Sequence, residues 1–93
     1  SRLPSSYRDL SLIINSDIFV EDLIDQISKN RLVKNINIFD VFEGKGVPKN
    51  KKAIGLRLTY QSSNKTITSD EIKKSEQKIV KELKNKFDID IRE

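Results

Sequence analysis

The sequence has no cysteine and no histidine. Without cysteine there is no disulfide and no thiolate chemistry, which fits a reducing compartment. Without histidine the commonest general base and the commonest zinc ligand are both missing. No apolar run approaches the roughly 18 residues of a membrane-spanning helix, and no secretory leader pattern opens the chain. Methionine is also absent, from the first position onward. Residues 1–93 are therefore expected to be one domain taken from a larger chain.

A chain of 93 residues fits a single small domain with a modest stability margin. Hydrophobic residues make up 35% and charged residues 34%. The mean hydropathy is −0.55. Thirteen isoleucines, mostly at periodic positions, favour a packed core over disorder. The net charge of +4 suits a polyanionic partner such as nucleic acid, and equally a domain that is merely lysine-rich and soluble.

Residues 8–15, "RDLSLIIN", alternate as a strand with Leu10, Leu12 and Ile14 inward. Ser16 or Asp17 is positioned to cap a helix over 18–30, whose stripe is Val20, Leu23, Ile24 and Ile27. A second strand is expected over 32–42 and a third over 53–62. The lysine-rich loop 43–52 joins them as an antiparallel hairpin. A helix over 68–87 opens on a Thr68–Glu71 capping box and buries Ile72, Ile79, Val80, Leu83 and Phe87. A short strand, 88–93, closes the chain. The order is βαββαβ. It predicts an α+β, ferredoxin-like fold: a four-stranded antiparallel sheet with two helices on one face.

Such a sheet leaves its other face uncovered. The phases not used by the core place Ser11, Ile13, Ala53, Gly55, Arg57, Thr59, Asp90 and Arg92 there. The second strand needs a phase switch near 38–39. With a β-bulge at that point, Phe39 and Val41 are expected inward and Asp40 and Phe42 on the open face. A ring among small residues and arginines outlines a platform for stacking RNA bases. Asp40 could accept hydrogen bonds from a guanine edge. Phe42 could equally close the sheet edge or pack on a neighbouring domain. Lys45, Lys49, Lys51 and Lys52 could contact phosphates or simply solvate a hairpin tip.

Catalysis has little support. There is no nucleophile elbow and no metal-ligand cluster, and "EGKG" is not a phosphate-binding P-loop. An acylphosphatase-like enzyme of the same fold class would need an arginine in the loop after the first strand. That loop reads "NSDIF".

The segments "PSSYRDLSLII", "FDVFEGKGVPKNKKAIGLRLTYQ", "KTITSDEI" and the final "IR" carry a resemblance. In this order and spacing the chain resembles the ferredoxin-fold anticodon-binding domain. That domain ends the β subunit of bacterial phenylalanyl-tRNA synthetases and also ends the single-chain organellar enzyme. The resemblance covers essentially residues 3–92. It implies a non-catalytic module, at the C-terminus of its parent, that holds the anticodon stem-loop of phenylalanine tRNA. It implies that Phe42 stacks on the wobble base with Asp40 beside it, and that Ser11, Ala53 and Arg92 lie near the anticodon. Lys52 and Arg57 complete the expected RNA-binding set. A hydroxyl is lost at Phe42, where tyrosine is common, and another at Ala53, where serine is common. The resemblance further implies an ATP- and magnesium-using parent ligase, with its α subunit and remaining β-subunit domains as partners. It implies a cytoplasmic setting, or an organellar one for a single-chain parent. The domain itself is expected to hold no cofactor. The alternative is a ferredoxin-like protein-interaction domain that docks through its open sheet face.

Overall fold

The computed structural model describes residues 4–92. Its elements are β1 (Ser6–Asn15), α1 (Val20–Ser28), β2 (Val33–Phe42), β3 (Lys51–Tyr60), α2 (Ser69–Lys86) and β4 (Ile89–Ile91). The strands form one sheet in the order β2-β3-β1-β4, with every neighbouring pair antiparallel. This is the ferredoxin-like βαββαβ arrangement expected from the periodicities.

The alternation of β1 and β3 decides which face is buried. Leu12, Ile14, Ile54, Leu56 and Leu58 are buried, together with Leu23 and Ile27 of α1 and Ile72, Ile79 and Leu83 of α2. All belong to one continuous core, so both helices cover the same side of the sheet. Tyr60 is also buried there. Burial raises the pKa of its phenol, and the neighbouring Ser75 hydroxyl on α2 offsets part of that rise. Neither hydroxyl reaches full hydrogen-bond geometry, so removing both is expected to cost little.

The helix starts differ in kind. Thr68 Oγ1 accepts from the Glu71 N–H at 3.1 Å, and Glu71 Oε1 accepts from the Thr68 N–H at 3.0 Å. That is the expected reciprocal cap. Helix α1, in contrast, is not capped by Ser16 or Asp17. The chain first makes a turn in which the Ile18 N–H donates to the Asn15 carbonyl. This delays the helix to Val20, with Phe19 at the N-cap position and no side-chain cap.

Glu71 also bonds Lys65 Nζ at 2.7 Å. Lys65 first, and then the Thr68 N–H, pull its carboxyl from 4.5 down to about 2. A carboxyl lowered in the folded state adds stability that is fully present above the unfolded value and is lost as pH falls through the folded value. Stability from this cap is therefore expected intact above pH 4.5 and fading towards pH 2. Denaturant titrations of Glu71→Gln across that window should show a flatter pH profile than the parent sequence. Identical profiles would remove Glu71 as the source.

Candidate nucleic-acid interface

Strand register builds the uncovered face row by row. Ile13 lies opposite Asp90 and Ala53, and Ala53 lies opposite Phe42. In the next row Ser11 faces Gly55, and Gly55 faces Asp40. The Arg92 N–H donates to the Ser11 carbonyl at 2.7 Å, so β4 enters that row too. Two adjacent rows therefore hold Phe42, Asp40, Ala53, Ser11 and Arg92, the set that the resemblance named.

The register of β2 shifts between Ile38 and Asp40. Phe39 is the extra residue of this bulge, so the expected phase switch is present. Its consequence for Phe39 is the reverse of the expectation. The ring is 56% exposed, not inward. A Cβ built on Gly55 would stand 2.7 Å from Phe39 Cε1 and 3.3 Å from Asp40 Cβ. Phe39 and Asp40 thus lie together over Gly55, on the open face. Val41, opposite Ile54, takes the helix-side phase but remains half exposed, since it sits towards the end of an edge strand.

The centre of the face is roofed. Ala53 is only 1% exposed although it lies on this side, with Phe42 and Ile13 beside it in register. The Arg92 guanidinium carbon stands 5.1 Å from the centroid of the Phe42 ring, a cation–π contact. Small residues form the floor, and Phe39, Phe42 and Arg92 form the relief above it. Gly55 has no room for a larger side chain. Gly55→Ala is expected to push the Phe39 ring off the sheet. NMR ring-current shifts in residues 11 and 53–57 should change while the melting temperature falls only slightly. Unchanged shifts would mean the ring does not rest there.

Two expected members behave differently. Lys52 lies opposite Ile14, in the phase that faces the helices, so it does not join this surface. Strict alternation from Ile54 already requires this, and reading Lys52 as loop concealed it. Arg57 is on the open face but carries a partner. Its Nε and one terminal nitrogen bond the two oxygens of Asp9 at 2.8 and 3.2 Å. The hydrogen bond from Arg57 holds the Asp9 carboxyl below its ordinary value, and Asp9 raises Arg57 in turn. Arg57 therefore clips β3 to β1, and its charge is already matched.

Tyr7 was missed. Strand β1 begins at Ser6, two residues earlier than its sequence pattern suggests, and puts Tyr7 opposite Thr59. The ring is 56% exposed, with Arg57 5.5 Å from its centroid. The signal for it was the continued alternation Tyr7, Asp9, Ser11.

Comparison with known proteins follows the same lines. The family profile described as "Ferredoxin-fold anticodon binding domain" matches residues 1–92. The chain is similar to the "Phenylalanine--tRNA ligase beta subunit" of several bacteria. With that of Wigglesworthia glossinidia brevipalpis it shares 40% identity over 95 residues, 99% of this chain and 12% of the relative. With that of Syntrophus aciditrophicus it shares 39% over 85 residues, 89% of this chain and 11% of the relative. With that of Clostridium acetobutylicum it shares 32% over 93 residues, 98% and 12% respectively. The chain thus spans only about 12% of the length of the curated relatives it matches.

Proposed function

Because the chain belongs to the ferredoxin-fold anticodon-binding family, we infer that it is the anticodon-reading module of a phenylalanine–tRNA ligase. The observation that carries this reading is the Phe42–Arg92 pair standing over Ala53, in adjacent rows with Asp40 and Ser11. A base needs a flat partner and clearance. Phe42 supplies the first and the short, part-exposed Ser11 the second, while Ala53 and Gly55 let the rings lie close on the sheet. Arg92 already lies over the ring. An entering base either takes its place or is held between the two, and the guanidinium then meets base or phosphate. The Asp40 carboxylate accepts from the N1–H and N2–H₂ edge of a guanine. Phe39, beside Asp40, adds a second ring within reach of a neighbouring base.

In this reading the parent joins phenylalanine to its tRNA with ATP in the cytoplasm, and the chemistry lies on other domains and on the α subunit. The module's task is to position the tRNA.

The test is chemical-shift mapping with the anticodon stem-loop of phenylalanine tRNA. Perturbations are expected at Ser11, Asp40, Phe42, Ala53 and Arg92. Silence across those positions at saturating RNA would overturn the reading and leave the exposed aromatics as a protein-docking face.

A further inference from the structure

Arg92 over the Phe42 ring and the lysines of the hairpin that follows it are only part of this chain's basic charge. A polar groove of about 790 Å³ lies at the other end of the sheet, between the α1–β2 turn, the segment after β3 and the first half of α2. Its walls carry Lys29, Arg31, Lys34, Lys65, Lys74 and Lys78, against one carboxylate, Glu71. Formally the groove is +5 while the entire chain is +4. Everything outside the groove therefore sums to −1. Along β3, the Phe42 row is at Ala53 and the groove end at Tyr60. Seven residues at about 3.4 Å each separate them by roughly 24 Å.

The carboxylate is already neutralised. Glu71 pairs with Lys65 at 2.7 Å. Lys29, Arg31, Lys34, Lys74 and Lys78 have no ion-pair partner among the described residues. Lys34 is the extra residue of a second bulge, between Val33 and Asn35, which takes it out of regular alternation. Neutral donors stand among these charges. The Asn30 side-chain oxygen accepts from the Leu32 N–H, and the Asn64 oxygen accepts from the Ser62 hydroxyl. Both amide NH₂ groups are left to donate.

We propose that this groove is a second, sequence-independent RNA-binding site that holds the phosphate backbone of a paired stem. The donor set selects phosphate: lysines, an arginine and amide N–H groups, with no acceptor charge left unmatched. It does not suit an acidic protein partner. A stable protein interface centres on buried aromatic or aliphatic anchors, and the groove lining has one large apolar side chain, Leu32. The proposal rests on charge and geometry alone and does not depend on Phe42 stacking a base.

The test uses the intact parent protein and a fully paired RNA duplex with no anticodon loop. Binding is followed by fluorescence anisotropy at several salt concentrations. The triple variant Lys29→Gln, Lys34→Gln, Lys78→Gln is expected to bind the duplex about tenfold or more weakly near 0.1 M salt. Its log Kd against log salt slope should be shallower by about two to three, one contact per lysine. Lys74→Gln, Lys78→Gln, both on the exposed face of α2, gives a milder variant whose slope should fall by about two. Phe42→Ala should leave duplex binding unchanged, so failure of the stacking reading cannot imitate failure of this one. Duplex affinity and slope equal to the parent's in both lysine variants would overturn the site, as would a duplex lost equally to Phe42→Ala.

Discussion

Replacing Phe42 with alanine in the parent enzyme should raise the KM for tRNA by ten- to a hundredfold and leave amino-acid activation untouched. The size follows from the stack. A base on an aromatic ring is worth about 1–3 kcal/mol, and each 1.4 kcal/mol is about tenfold in affinity. The ring also holds Arg92 by a cation–π contact, worth about 0.5–1 kcal/mol at an exposed site, so the arginine loses its position too. Phe42→Tyr should retain nearly all the affinity, because the ring is what stacks. Activation, read by ATP–pyrophosphate exchange, is the internal control. If the alanine variant aminoacylates tRNA with unchanged kinetics, the stacking role is wrong whatever the fold.

Leu56→Ala should have the largest effect on folding. Leu56 is fully buried on an inner strand, with Leu10 on one side and Ile38 on the other. Cutting leucine to alanine in a closed core costs about 2–5 kcal/mol. A chain of this length has roughly 5–14 kcal/mol in total. The melting temperature should fall by roughly 8–40 °C, at about 4–8 °C per kcal/mol, as measured by circular dichroism. Val41→Ala is the contrast. It shares the helix-side phase but is 50% exposed, and should shift stability by under about 0.5 kcal/mol. Equal losses at both positions would mean that the sheet is not packed as described.

The sequence was informative where one local rule governed one local choice. Thr68 and Glu71 stand three apart before an apolar stripe, and the cap forms as that spacing requires. Leu10, Leu12 and Ile14 alternate, and all three are buried. It was less informative where two rules met. Ser16 and Asp17 are good caps, but a turn from Asn15 to Ile18 formed first. Near residue 38 the alternation announced a change of phase without saying which residue was extra. Only pairing with β3 shows that Phe39 and Asp40 both oppose Gly55. Individual side-chain partners across the sheet were not legible. Asp9 and Arg57 are 48 residues apart, and nothing in either segment says that they meet. The same holds for the charge. Lysines spread along the sequence gave a total, and the fold decided that six of the eighteen basic residues line one groove at the end away from Phe42.

The bulge at Phe39 also sets how this strand tolerates changes in length. In most strands the loss of one residue inverts every side chain beyond it. Here it would not. Ile38 opposes Leu56, Asp40 opposes Gly55 and Phe42 opposes Ala53, with Phe39 the extra residue that the register skips. Deleting Phe39 would leave a regular strand with Asp40 and Phe42 on their present side. An insertion at the same point has no such refuge. The position is a ratchet for chain length: one residue can be dropped without moving the ring at 42, and none can be added.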